Sequence, residues 1–282
     1  MAIPASLVAD IPHLREKTSR IGFIGRALAI FRVDEVIIYL DQPSRDQSEE
    51  TQLIATLLSY METPQYLRKH LFKIMPDLRY VGTLPPLRTP HHPLRNGIRD
   101  LKIGEYREGV VTSIDEHGAE IDVGVEKPVL MRGFRAPTKT RVTVKITKTG
   151  KHAEAIPVDK GEAETYWGYE VTISKRPFEE TVKTRFFDLV IATSRLGRNF
   201  AEVASELKAR WEKSKKILIV FGAPTQGLYE IMKQEGVELE SLADYVINTI
   251  PNQGTETVRT EEAIYATLSI FNSLSRIISM LN

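Results

Sequence analysis

The chain contains no cysteine. That absence excludes disulfides, thiolate metal centres and a cysteine nucleophile, and it suits a reducing compartment. No apolar run approaches the roughly 20 residues that cross a bilayer. Met1–Pro12 lacks the basic flank and apolar centre of a secretory signal. The expectation is a soluble, cytoplasmic protein with no membrane partner. A dominant charge is also missing, since 38 Lys and Arg face 37 Asp and Glu. A polyanion would therefore have to meet a local patch. No Gly-Lys-Ser/Thr loop and no three-glycine dinucleotide fingerprint occurs, which counts against a nucleotide-dependent enzyme on a doubly wound sheet.

What is present is a 42% apolar fraction over 282 residues, enough for one large domain or two ordinary ones. Two C-terminal segments share one grammar of strand, glycine loop and helix. They are ILIVFGAPTQGLYEIM (217–232) and DYVINTIPNQGTETVRTEEAI (244–264). Continuous apolar runs bounded by turn residues predict parallel strands covered on both faces. Ligands of open α/β sheets sit beyond the carboxyl ends of such strands, so two adjacent glycine loops predict a small-molecule pocket there. Thr257 or Thr260 is placed to cap the following helix, and Glu261 and Glu262 favour its positive end.

Along the chain, apolar spacing predicts a helix over 20–31, a strand over 35–40, and helices over 47–61 and 65–75. Four prolines in the eleven residues 84–94 then mark an extended connector. From about 104 to 157, five short glycine-punctuated runs predict strands of a small OB-like β-barrel. They are YREGVVTSI, AEIDVG, KPVLM, TRVTVKI and HAEAIP. The α/β texture resumes with a strand over 186–193, a helix over 199–211 and a last helix over 261–281. The barrel reads as an insertion (93–163) in one α/β domain (1–92 and 164–282). Three consecutive domains are the alternative, but the first α/β part alone would form only a thin sheet.

Between Lys127 and Lys151 stand eight Lys and Arg and no Asp or Glu. They include Arg132, Arg135, Lys139, Arg141, Lys145 and Lys148. A one-sign face on a small barrel points to RNA or DNA, with Phe134 placed to stack on a base. The plainer reading is a solvated edge whose lysines block strand pairing. His91 and His92 would point to opposite faces of a strand and have no carboxylate cluster close in sequence, so no metal site is expected. Arg26 and Arg32 read from the sequence alone as surface charges.

Three segments together resemble the SPOUT superfamily of methyltransferases. They are SRIGFIGRALAIFRVDEVIIYLD (19–41), FGAPTQG (221–227) and IPNQGTETVRTEEAI (250–264). With KHLFKIMPDLRYVGTLPPLRTPHHP and the inserted barrel, the chain resembles a narrower family of RNA methyltransferases shared by archaea and eukaryotes. The resemblance implies an α/β fold with a parallel sheet, a C-terminal trefoil knot and an OB-like insertion. It implies S-adenosyl-L-methionine as cofactor, held at Gly222, Ala223, Gly227, Ile250, Pro251, Asn252, Gln253, Gly254 and Thr255, with Thr193 adjacent. It implies a homodimer whose interface completes the active site, Arg26 as the catalytic arginine, and metal-independent methyl transfer to ribosomal or transfer RNA. Arg32 is expected among the RNA contacts, and Arg259 is expected to meet RNA phosphate or the partner subunit. The ribose-methylating branch has an asparagine where this chain has Arg20, a glutamate at Pro224 and an asparagine near Thr260. Base and ribose targets both stay open, as does a non-catalytic RNA-binding protein that uses the knot domain to dimerise.

Overall fold

The computed structural model describes residues 1–94 and 97–279, with side chains described through residue 274. The expected end of the last helix, Leu281, lies outside the described residues. The chain forms two compact units. One comprises Met1–Ser59, Asp77–Pro85 and Tyr169–Asn282; the other comprises Tyr60–Pro76 and Pro86–Gly168.

The first unit is built on a six-stranded parallel sheet. Its strands are β1 (Ala2–Pro4), β2 (Glu35–Tyr39), β8 (Glu170–Ile173), β9 (Leu189–Asn199), β10 (Ile217–Val220) and β11 (Tyr245–Asn248). They lie in the order β11-β9-β10-β1-β2-β8. β1 is central and wholly buried, pairing Ala2 with both Val220 and Ile37. Three residues carry no readable period, so the sequence does not announce this strand. On one face, Val190, Leu218, Val220, Ile37 and Tyr39 pack with Phe178, Leu228, Ile231 and Met232. Full burial of such side chains contributes about 1.5–3 kcal/mol each.

The helices follow from apolar spacing. α1 (Leu14–Ile30) buries Ile21, Ile24 and Leu28, and begins a turn and a half before the predicted start. α2 (Ser48–Glu62) matches the predicted period. α4 (Phe178–Arg185), which the sequence did not suggest, buries only Phe178, Thr181 and Val182. α5 (Phe200–Lys213) is capped by Asn199, whose side chain accepts from the Ala201 amide at 3.0 Å. α6 (Leu228–Glu235) ends on Gly236, which takes the left-handed φ of 75° that stops a helix cheaply. α7 (Thr260–Ser279) packs against α1 and α5.

β9 carries the irregularity that shapes the site. It pairs with β10 over Leu189–Ala192, and with β11 at Ala192↔Val246 and then at Arg198↔Ile247. Adjacent residues of β11 thus face residues six apart on β9, and 193–197 bulge out between them. At Gly197 a Cβ would lie 2.7 Å from the Ile247 and Val246 backbone, so only glycine lets the chains close after the bulge.

The second unit is a closed barrel of β3 (Tyr106–Ile114), β4 (Gly118–Asp122), β5 (Val129–Arg132), β6 (Arg141–Lys148) and β7 (Glu154–Pro157). The order is β3-β4-β5-β7-β6, and β3 pairs antiparallel with β6 to close it. This is the five-stranded Greek-key arrangement of an OB-like barrel. Val111, Ile121, Val129, Met131, Val144 and Ile146 fill the interior. α3 (Gln65–Leu71) lies in this unit, and Tyr66 donates to the Glu108 carbonyl at 2.7 Å. The predicted helix over 65–75 stops at Leu71. Phe72 is extended, its ring 5.2 Å from Tyr60, and Pro76 disfavours helix at the residue before it.

Candidate active site

The carboxyl ends of β9, β10 and β11 enclose a cavity of about 350 Å³. Three chain segments build it: the bulge after Ala192, the loop after Val220 and the loop after Asn248. Cross-links between them are mostly backbone-directed. Thr193 donates to the Val220 carbonyl at 2.8 Å. Asn248 donates to the Arg195 carbonyl at 3.1 Å, while its own side-chain oxygen accepts from the Ile250 amide at 2.9 Å. Arg195 reaches the Glu256 carbonyl at 3.0 Å, and Gln253 donates to the Thr255 and Glu256 carbonyls at 2.9 and 3.1 Å. Within the first loop the Ala223 amide donates to the Gln226 carbonyl at 2.9 Å. The two glycine loops meet where Thr260 donates to the Gly222 carbonyl at 3.4 Å.

Of the residues expected to hold a cofactor, Thr193, Gly222, Ala223, Gly227, Ile250 and Gln253 line this cavity. Pro251, Asn252, Gly254 and Thr255 lie exposed on the outer side of their loop, outside the lining, and Asn252 takes a left-handed φ of 57°. Sequence reasoning missed Ser194, Arg195 and Leu196, which the bulge delivers to the cavity. The available signal was Gly197, since an isolated glycine in a strand pattern suggests a bulge. Tyr39 was also missed. It is fully buried, and its phenol donates to the Phe221 carbonyl at 2.7 Å. Burial and the charge of Asp41 raise its pKa well above the ordinary phenol value, so it stays a donor.

The cavity suits S-adenosylmethionine on three counts. Its volume falls in the range of small-ligand pockets. At Gly222 a Cβ would come within 3.2–3.3 Å of the Gln226, Gly227 and Leu228 backbone, so the glycine lets this loop fold tightly back on itself at the cavity wall. The buried side-chain oxygen of Gln226, a lining residue, has no partner among the described residues and so has a hydrogen bond to gain.

Arg26 does not line the cavity. It sits half-buried on α1, where its charge opposes the burial-driven rise in the Tyr265 pKa; Tyr265 donates to the Phe23 carbonyl at 3.0 Å. Arg20 is ion-paired to Asp10 at 3.2 Å and to Glu261 at 3.3 Å. α7 begins at Thr260, which therefore stands inside its first turn, with its hydroxyl turned to the Gly222 carbonyl; the Glu262 carboxylate accepts from the Arg259 amide at 2.9 Å. The Arg259 side chain is exposed. Arg32 lies just before β2, at the amino edge of the sheet and away from this cavity.

In the barrel unit, the expected basic stripe is partly neutralised. Arg132 and Lys148 both bond Glu154 at 3.0 Å, and these bonds hold its carboxyl down at about 2. Arg141 is not an exposed cation of the stripe. Its guanidinium bridges Glu62 and Glu108, while Glu108 also accepts from Thr143 and Trp167 at 2.7 Å each. Arg135 and Lys139 are exposed, and Lys145 lies 5.3 Å over the Tyr106 ring. His91 and His92 do not point apart. Both sit in a turn, not a strand, and both rings meet the Glu62 carbonyl, at 2.9 and 2.7 Å.

The fold class is thus an α/β protein with a parallel sheet, a cavity at the sheet's carboxyl edge and an inserted five-stranded barrel. Comparison with known proteins makes this specific. Residues 1–271 match the family described as "Putative RNA methyltransferase", and the chain belongs to that family. It is 33% identical to a human protein named 28S rRNA (uridine-N(3))-methyltransferase, over 95% of this chain and 76% of that one. A Drosophila melanogaster protein of the same name is 32% identical over 95% of this chain, which spans only 60% of the fly protein's length. An uncharacterised Haloarcula marismortui protein is 31% identical over 95% of this chain and 96% of its own. Among the described residues, no helix is long and apolar enough to cross a membrane.

Proposed function

We propose that this protein is an S-adenosylmethionine-dependent methyltransferase of the knotted SPOUT type that methylates a uridine base nitrogen in ribosomal RNA. The observation that carries the reading is the convergence of both glycine loops and the β9 bulge on one cavity at the carboxyl edge. The base target is favoured over ribose by the names of the fly and human relatives and by Arg20, which stands where the ribose-methylating branch has its asparagine. The knot is supported by the sheet order, in which β11 lies outside β9.

Bound in this cavity, the cofactor would supply an activated methyl group on a positively charged sulfur that leaves as a neutral thioether, chemistry that needs no metal. Gly222, Ala223, Gly227, Ile250 and Gln253 would hold it. The residues' work is chiefly alignment. A uridine N3 must also give up its proton, to solvent water, before its lone pair attacks the methyl carbon, which leaves negative charge on the flanking ring oxygens. A fixed guanidinium is suited to stabilise that charge. Arg26 is assigned that role, and a second copy of the chain brings it to the cavity. Phe23 and Ile30, seven residues apart on α1, are 54% and 49% exposed, an apolar face flanking Arg26 that supports such a dimer. RNA would be gripped by the barrel through Arg135, Lys139 and Lys145.

Calorimetry with S-adenosylmethionine tests the reading directly. Stoichiometric binding that Gly222→Val abolishes is expected; no binding by the folded wild-type chain would sink it. Nucleoside mass spectrometry of ribosomal RNA after incubation would then show 3-methyluridine.

A further inference from the structure

The amino edge of the sheet, opposite the candidate active site, holds a second cavity, of about 410 Å³. Four aromatic rings wall it: Phe31, Phe187, Trp211 and Phe271. Trp211 and Phe271 lie 5.1 Å apart and 30° from parallel. Among the described residues, three exposed cations, Arg32, Lys215 and Lys216, line it against one exposed carboxylate, Asp34. Glu35 is neutralised there, since both its oxygens lie 2.7 Å from Arg185. The nearby Asp188 carboxylate is taken up by the main-chain amides of Lys215 and Lys216 at 2.9 and 2.8 Å, leaving both ammonium groups outside that bond.

The backbone here carries a second signal. α1 ends on Arg32 at φ 56° and α4 ends on Phe186 at φ 49°, positions where glycine is the cheap choice. α6 does use glycine at its end. Arg32 lines the cavity itself, and Phe186 stands between two residues that do. Phe186 is 80% exposed, and its neighbours Arg185 and Phe187 line the cavity. For a residue of that bulk, such geometry is an outlier that the surrounding structure has to hold in place.

Flat rings inside and cations at the mouth are the chemistry that takes an aromatic base joined to a phosphate. We infer that this cavity is a second ligand site that accepts one nucleotide unit, the base among the rings and the phosphate on Arg32, Lys215 and Lys216. The unit is either a free mononucleotide or one nucleotide of single-stranded RNA; in the second case the inference rests on the RNA reading above.

The test uses the full chain with photoactivatable 4-thiouridine, presented as its monophosphate and within a single-stranded oligoribonucleotide. Cross-linked peptides are mapped by mass spectrometry. Cross-links at Phe186–Phe187 or Trp211 are expected. Labelling by the monophosphate identifies a free-nucleotide site, and labelling by the oligonucleotide alone identifies an RNA subsite. The paired substitution Lys215→Glu and Lys216→Glu, both at exposed positions, should weaken that ligand by about tenfold or more through two lost charge-assisted contacts, with S-adenosylmethionine affinity unchanged. Cross-links confined to other peptides, or an unaltered affinity in the double variant, overturn the inference. A chain that fails to bind S-adenosylmethionine would remove the methyltransferase reading and leave this result standing.

Discussion

The Tyr39 phenol, at the end of β2, donates at 2.7 Å to the main-chain carbonyl of Phe221, 182 residues later, where the first cavity loop leaves β10. The Phe221 amide is held in turn by the Ala2 carbonyl at 3.1 Å. The base of the loop is therefore fixed from two N-terminal strands at once. Tyr39→Phe keeps the ring but leaves a buried carbonyl unsatisfied, which costs about 1–3 kcal/mol. Denaturant unfolding should show that loss, and calorimetry a weaker cofactor affinity. Equal stability of the two proteins would show that the contact contributes nothing.

Gly197→Ala tests the bulge. The added methyl would lie 2.7 Å from the Ile247 and Val246 backbone, which cannot give way as a side chain can. Re-pairing of β9 with β11 should fail there, at a cost of about 1–3 kcal/mol or more. Because 193–196 line the cavity, cofactor affinity should drop by more than the melting temperature suggests. An alanine variant with native affinity would contradict this account of the bulge.

Acid should loosen the barrel unit. Burial works against the Glu62 carboxylate, but hydrogen bonds from His91 and Arg141 and the Arg141 charge outweigh it, bringing its pKa from 4.5 to about 2. Burial, then the neighbouring His91, lowers His92 from 6.5 to about 4. Both folded values lie below the unfolded ones, so the unfolded chain binds more protons and stability falls as pH falls. The His92 contribution is complete above about 6.5 and fades toward 4; that of Glu62 is complete above about 4.5 and fades toward 2. Glu62→Gln should flatten the lower window and destabilise by about 1–3 kcal/mol at neutral pH, since Arg141 loses one of its two carboxylates while Glu108 keeps its charge paired. Unfolding curves at pH 7, 5 and 3 measure both effects.

Arg26→Ala should lower methyl transfer by about 100-fold or more, the scale of losing one preorganised electrostatic group, with cofactor binding retained because Arg26 is outside the lining. Single-turnover assays separate the two. Full activity in the variant removes Arg26 from the chemistry.

RNA affinity should depend on Arg135 and Lys139 far more than on Arg132, which Glu154 already holds. Replacing either exposed cation by alanine should reduce the slope of log affinity against log salt by about 0.7 per lost contact, the single-strand value. A slope indifferent to all three substitutions would move the RNA surface off this part of the barrel.

Much of this molecule is written locally. Alternating apolar runs give the barrel strands, and β3 coincides with the run YREGVVTSI. The periods of Ile21, Ile24 and Leu28 and of Val203 and Leu207 give α1 and α5. Glycine and proline placed the cavity loops. These features are legible because propensity, periodicity and turn chemistry act over a few residues. The short strand β1, the site of Arg141 between Glu62 and Glu108, and the outward placement of Asn252 are not legible this way. Charge counted along a chain cannot say which cations meet a carboxylate from a distant segment.

The sequence by itself determined most of the longer helices, the barrel strands and the two glycine loops, while β1 and α4 escaped it. Only the tertiary structure decided that β9 bulges between adjacent residues of β11, that Tyr39 pins Phe221, and that Arg26 stands apart from the cavity of its own chain. Register, burial and ion pairing depend on contacts between residues tens to hundreds of positions apart, and no local pattern encodes those distances.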